Sequence, residues 1–349
     1  EGRGFEDLLS PYDRLPSNAR KKVSDIIWNL SLDSAGICAR FLSDTSALFV
    51  RWDLRKRSLE MPHMPATGVS GIDLYVKNGK SWRWLAIGQP TSNENEVLLF
   101  EKVESVTREY LLYLPLYNGV QSVSLGIPES TKQIFPAKKR NGSIVFYGTS
   151  ITHGACASRP GTCHVALLGR WLNRPVINLG FSGNGKMEPE IATIIADIET
   201  DLFVIDCLPN MNAKLVMERL PDFCRILRSK QLHTPILLVE DRTYADAFFS
   251  SERSRVNRSN REAFCRAYSD LKKEGLGNVH YLQGKNLLGA DGEDTVDGSH
   301  PTDLGFFRQA KVFFPVIHEI LFQKKIFILE YMRKCSQKKK LRSYQILLE

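Results

Sequence analysis

Two segments of this chain carry residue types that together could activate a nucleophile: Asp297-Gly298-Ser299-His300-Pro301 and, far upstream, Tyr147-Gly148-Thr149-Ser150. An acid and a histidine three residues apart, bounded by glycine and proline, predict a tight loop. In such a loop the carboxylate reaches one imidazole nitrogen and leaves the other free to act as a general base. A serine hydroxyl is a poor nucleophile until a base takes its proton. Ser150 follows the apolar run Ile144-Val145-Phe146. It is therefore expected at the carboxyl end of a buried strand, where open parallel sheets place their chemistry. Each segment alone also has a plainer reading. Ser150 suits a helix N-cap, and the Asp297–His300 pair suits a polar turn before a helix capped by Thr302 or Asp303. The chain order Ser, Asp, His favours the catalytic reading.

An acylated serine needs donors for the oxyanion of its tetrahedral intermediate. Three are available: the Ser150 amide, the Gly183 amide in Gly180-Phe181-Ser182-Gly183-Asn184-Gly185, and the side-chain amide of Asn210 in Leu208-Pro209-Asn210-Met211. Glycine at 183 lets backbone approach a substrate closely. Singly, Gly183 reads equally as a structural turn and Asn210 as a cap of the following helix. His153 follows Ser150 by three residues but has no acid companion, so it is expected to line the pocket rather than to act as the base. Arg159 either meets a substrate oxygen or pairs with a carboxylate. The segment Met61 to Gly68, with two prolines, reads equally as a loop that reaches across to shape the pocket and as an ordinary long loop.

The elements that must position these residues change character near residue 135. Before it, short runs rich in β-branched and aromatic residues are separated by turn signals such as Asn78-Gly79 and Asn118-Gly119. They include Ile26 to Trp28, Gly36 to Phe41, Ala47 to Trp52, Asp73 to Val76 and Tyr110 to Leu116, and they predict an all-β sandwich, jelly-roll-like, over residues 1–135. Tyr110 to Pro115 is apolar on both faces, as a central strand would be. Ile134 to Asn141 is the expected hinge. After it, five apolar strand patterns alternate with helical ones through Thr302 to Leu321. That alternation predicts an α/β unit over 136–322, a flavodoxin-like, doubly wound, five-stranded parallel sheet.

Composition narrows the function classes. The chain has 349 residues, 43% of them apolar and 25% charged, as in ordinary globular proteins. No apolar run is long enough to span a membrane. No apolar leader follows Glu1, and one removed upstream would leave no trace. The net charge of +8 is concentrated in a tail, 323–349, that holds eight Lys/Arg against two Glu. The body is close to neutral, so no specific nucleic-acid partner is expected. The seven cysteines form no CxxC and no zinc-type spacing, and most are expected to be buried thiols. A Cys156–Cys163 disulfide has only proximity to recommend it.

The motifs then converge. Tyr147-Gly148-Thr149-Ser150, Gly183, Asn210 and Asp297…His300 resemble the four blocks of the SGNH (GDSL-like) hydrolase superfamily. Thr149 stands where the usual first block has aspartate, and Leu208-Pro209-Asn210-Met211 departs from Gly-x-Asn-Asp. Both departures resemble one subgroup, two-domain esterases whose amino-terminal β-sandwich carries a Gly-x-Asp-Leu-Tyr element, here Gly71-Ile72-Asp73-Leu74-Tyr75. The resemblance implies Ser150 as nucleophile, His300 as base, Asp297 as its orienting acid, and Ser150, Gly183 and Asn210 as oxyanion hole. Asp73 and Tyr75 join His153 and Arg159 as pocket candidates. No metal or cofactor is implied. The expected activity is hydrolysis of small acyl esters, acetyl above all, on carbohydrate, in a secreted or periplasmic setting. The alternatives are a short-chain lipase or thioesterase, and a glycan-binding protein with a degenerate hydrolase unit. A dinucleotide fold is disfavoured because Gly-x-x-Gly-x-Gly follows the wrong strand. An α/β-hydrolase elbow is disfavoured because Thr152 stands where it needs glycine.

Overall fold

A computed structural model describes residues 1–322. The basic tail lies outside the described residues. Two antiparallel sheets form the amino-terminal half. The larger joins β1 (Cys38–Ser43), β3 (Ile72–Asn78), β4 (Ser81–Gly88), β6 (Arg108–Tyr113) and β8 (Ile134–Pro136) in the order β4-β3-β6-β1-β8. The smaller joins β2 (Leu48–Leu54), β5 (Glu94–Phe100) and β7 (Val120–Gly126) in the order β5-β2-β7. The two sheets share one core that includes Val50, Trp52, Leu74, Tyr110 and Leu112.

The middle of this five-stranded sheet is buried on both faces, which the sequence of β6 explains. Successive side chains of a strand point to opposite faces. Tyr110 and Leu112 face the sandwich core, whereas Leu111 and Tyr113 join a second core with Phe146, Val165 and Leu168 of the carboxyl-terminal half. β6 is the middle strand of its sheet.

The carboxyl-terminal half is a parallel sheet of β9 (Ile144–Gly148), β10 (Val176–Gly180), β11 (Leu202–Asp206), β12 (Ile236–Val239) and β13 (Val279–Leu282). Its order, β10-β9-β11-β12-β13, is the doubly wound order in which the first strand lies between the second and third. β9, β10 and β11 are buried at every position, so their continuous apolar runs are what a sheet covered on both sides requires. One face carries α4 (His164–Trp171) and a last helix, α8, over 303–322. The other carries α5 (Pro189–Ile195), α6 (Ala213–Lys230) and α7 (Ser251–Lys273). Among the described residues no helix is long and apolar enough to cross a membrane.

Three details depart from the sequence expectation. Ile26 to Trp28 is not a strand: it lies in α1 (Asp25–Ser31), where the Ser24 hydroxyl accepts from the Ile27 amide. Ile27, Trp28 and Ser31 are buried while Ile26 is 58% exposed, which is a helical face rather than an alternating one. Leu15, Ala19, Ile27 and Trp28 also pack into the core of the parallel-sheet half, not the sandwich. Finally, the expected hinge begins as strand, because Ile134–Pro136 pairs with Ser43, Leu42 and Phe41 of β1.

Candidate active site

The loops after β9, β10 and β11 and the loop before α8 converge at the carboxyl edge of the parallel sheet. Ser150 opens the short helix α3 (Ser150–His153) directly after β9. The cap of that helix is Thr149, whose hydroxyl accepts from the Ile151 amide at 3.2 Å. The Ser150 hydroxyl is thereby free of capping duty and meets His300 Nε2 at 2.8 Å.

Asp297 holds the other side of that imidazole. Its Oδ2 lies 2.7 Å from His300 Nδ1, and its Oδ1 accepts from the amides of His300 (2.8 Å) and Ser299 (3.0 Å). A carboxylate facing Nδ1 fixes the tautomer: Nδ1–H donates to Asp297, and Nε2 accepts from the Ser150 hydroxyl. Partial burial pushes the Asp297 carboxyl up, but the donated hydrogen bonds outweigh it and hold the group below the usual carboxylate range. An imidazole so held can take the serine proton. The loop is braced by Val296 N donating to His300 O and by the Thr295–Pro301 bridge. Thr302, not Asp303, caps α8, through Gly305 N to its hydroxyl.

The two further oxyanion candidates sit on adjacent loops. Gly183 has φ +69°, a left-handed conformation that favours glycine, and a Cβ there would meet nothing within 4 Å. Asn210 ends a single turn, Leu208–Asn210. With its side-chain oxygen accepting from the amides of Asn184 (3.2 Å) and Gly185 (3.3 Å), it ties the β11 loop to the β10 loop and turns its NH2 group away from them. The helix cap that Asn210 might have supplied comes from Asn212, which accepts from Leu215 N.

The remaining candidates are placed differently from one another. His153 is fully buried beneath the site rather than on a pocket wall: it stacks on Tyr117 at 4.0 Å and its Nε2 lies 3.3 Å from buried Arg14. Burial, with Arg14 and Lys56 nearby, holds it well below the usual histidine range. Tyr117 in turn donates to the carbonyl of Ser150 at 3.3 Å. Arg159 pairs with a carboxylate, donating to Asp73 Oδ2 (2.8 Å) and to the Tyr75 hydroxyl (2.6 Å). Asp73 and Tyr75 are buried. Burial pushes the Asp73 carboxyl up, and Arg159 and the Gly161 amide only partly offset this.

The Met61 to Gly68 segment does reach the site. It runs into α2 (Ala66–Val69), and its His63 ring lies 6.2 Å from that of His300. His63 carries no signal in the sequence beyond an imidazole in a proline-bounded loop. Cys156 and Cys163 are both free, buried thiols. Burial, with the nearby Asp297 charge, pushes the Cys156 thiol up to about 12, so it is no rival nucleophile at neutral pH.

The GDSL-like lipase/acylhydrolase family model matches residues 141–318, and the GxDLY model, which describes the amino terminus of SGNH-hydrolase-type esterases, matches residues 1–133. A GDSL-like lipase from Bacteroides ovatus ATCC 8483 is 32% identical with a TM-score of 0.87, over 92% of this chain and 94% of that one. The salicylyl-acyltransferase SsfX3 from a tetracycline biosynthetic pathway shares the fold at 19% identity and TM-score 0.70, over 86% and 87% of the two chains. A family two carbohydrate esterase from Clostridium thermocellum, in complex with cellohexaose, does so at 14% and 0.60, over 81% and 91%. No curated protein sequence matches the chain.

Proposed function

The chain belongs to the GDSL-like lipase/acylhydrolase family, with the amino-terminal half of SGNH-type esterases, and from that premise we propose that it is a serine esterase acting on small acyl esters, acetyl foremost, carried by carbohydrate. The observation that carries the reading is the unbroken hydrogen-bond chain from Asp297 through His300 to Ser150. In the proposed reaction His300 Nε2 takes the Ser150 proton as Oγ attacks the ester carbonyl carbon. The carbonyl π electrons become an oxyanion, which the Ser150 and Gly183 amides and the Asn210 NH2 stabilise. As the tetrahedral intermediate collapses, the imidazolium returns its proton to the departing alkoxide, leaving an acyl-serine. Water repeats the sequence and frees the acid. Asp297 keeps Nδ1 protonated throughout and stabilises the imidazolium.

The substrate class rests on the site's surroundings. His63 and Asp297 beside His300 are polar and exposed, which suits a hydroxyl-rich alcohol part. A short-chain lipase is the second reading, favoured by one observation: Phe248 and Phe249 are 91% and 87% exposed. They follow Ala245, whose amide donates to Gly298 O of the Asp297–His300 loop. Hydrolysis of p-nitrophenyl acetate, butyrate and octanoate, followed by acetylated oligosaccharides, separates the two. The proposal expects kcat/KM to fall from acetate to octanoate and acetate to be released from the sugars. A rise towards octanoate with no release from sugars would replace it with the lipase reading.

A further inference from the structure

One short strap, residues 158–162 between α3 and α4, is held by carboxylates from two directions. On the sandwich side stands Asp73 of β3. It is fully buried, and its Oδ2 accepts from Arg159 Nη1 and from the Gly161 amide, each at 2.8 Å, while its Oδ1 accepts from Trp84 Nε1 at 3.0 Å. Thr67 adds a bond from its hydroxyl to Ser158 O at 2.6 Å. The fit is tight: a Cβ on Gly161 would lie 2.4 Å from the Tyr75 ring and 2.7 Å from Asp73 Oδ2.

From the carboxyl-terminal half comes Asp303, the first helical residue of α8 and three residues past His300. Its Oδ1 accepts from the Ser158 amide (3.0 Å) and the Thr162 hydroxyl (2.7 Å), and its Oδ2 accepts from the Ser158 hydroxyl. Because Thr302 caps α8, the Asp303 carboxylate is not spent on its own helix. The strap therefore links the sandwich to the segment that carries His300.

We propose that Asp73 and Asp303 are positioning residues that grip this strap from the two halves of the chain and thereby set His300 at hydrogen-bond distance from Ser150. The GxDLY carboxylate then works at a distance, through backbone and a second carboxylate, and touches no substrate. Misplacing a reacting group by about 1 Å costs up to ~10²-fold in rate, so slackening either grip lowers the reactivity of Ser150 more than it lowers affinity. The inference rests on the serine-esterase reading.

The test uses the full chain and a fluorophosphonate, which reports serine nucleophilicity without a natural substrate. Labelling rates are measured for the wild type, Ser150→Ala, Asp73→Asn, Asp303→Asn and the double variant, with kcat and KM on p-nitrophenyl acetate. Wild type that labels while Ser150→Ala does not carries the serine reading. On that background each Asn variant is expected to label about 10- to 100-fold more slowly, with KM little changed. The double variant should be little slower than the slower single, because both act through one strap. Wild-type rates in both single variants, fully additive losses, or losses confined to KM would overturn the positioning role while leaving the serine reading in place. A wild type that does not label overturns both. If an Asn variant does not fold, Thr162→Val stands in on the Asp303 side and Arg159→Met on the Asp73 side. Wild-type labelling in the folded stand-in overturns the proposal.

Discussion

Asp297→Asn should be more harmful than Asp297→Ala, although it changes less. Both backbone amides of the loop, His300 N and Ser299 N, donate to Oδ1. In the Asn variant they claim the one remaining carbonyl oxygen, so the new NH2 replaces Oδ2 at 2.7 Å from His300 Nδ1. Two donors cannot face each other. The imidazole must shift its proton to Nε2, where it points at Ser150, and the base is gone. Enforcing the wrong tautomer in this way costs about 10⁴ in kcat. In Asp297→Ala, water can accept from Nδ1–H, because the Asp297 side chain is 49% exposed. What is lost is the carboxylate's hold on the imidazolium. Unit charges about 4 Å apart interact by about 1 kcal/mol in water and about 4 kcal/mol near a protein surface. That amounts to roughly one to three decades in kcat. The assay is kcat on p-nitrophenyl acetate, with thermal unfolding to confirm that both variants fold. An Asn variant as active as wild type, or more active than the Ala variant, would refute the tautomer argument.

Other consequences follow from the same structure. Asn210→Ala should lower kcat about 10²- to 10³-fold with little change in KM, as loss of one oxyanion donor does; an unchanged kcat would remove Asn210 from the hole. Arg242 forms a buried bidentate pair with Asp206, both contacts at 2.6 Å, and so Arg242→Met should destabilise the fold by about 3–5 kcal/mol in urea unfolding by stranding that carboxylate. His164 is fully buried against Phe306 and Phe313, neither ring nitrogen has a hydrogen-bond partner among the described residues, and burial pushes its pKa down to about 3. The unfolded chain binds that proton near pH 6.5 and the fold does not, so stability is complete above about 6.5 and is lost as pH falls towards 3, by up to about 5 kcal/mol. His164→Phe should flatten that acid limb, and an unaltered limb would show that His164 is not its source.

Much of the fold was legible because its strands are buried on both sides. Ile144–Gly148, Val176–Gly180 and Leu202–Asp206 are apolar runs ended by small or polar residues, and such runs have few other ways to fold. Ile26 to Trp28 was misread because three adjacent apolar residues fit a strand as well as a helix. The deciding signal was the Ser24 cap, which is visible only once helix is considered. The packing of Leu15 to Trp28 on the parallel-sheet half was illegible, since nothing local says which of two cores will receive a short apolar helix.

Among the candidate site residues, the sequence pointed to Ser150, His300 and Asp297, and the structure brings their side chains within hydrogen-bond distance of one another. Local chemistry marks them: a serine at a strand end, and an acid–histidine turn between glycine and proline. That Arg159 pairs with a carboxylate was one of its two readings, but its partner Asp73 and the hold of Asp303 on residues 158–162 were not legible, because each depends on residues from another part of the chain. The sequence left the cap of α8 open between Thr302 and Asp303, and the structure gives it to Thr302.

The central claim is that Ser150 carries the acyl group during turnover. Rapid quenching of the full chain with p-nitrophenyl acetate, followed by intact-mass and peptide analysis, tests it most directly. A covalent acetyl adduct on the Ser150 peptide, with a burst of p-nitrophenol and neither seen in Ser150→Ala, is the predicted result. Undiminished turnover by Ser150→Ala, or an adduct on another residue, would contradict it.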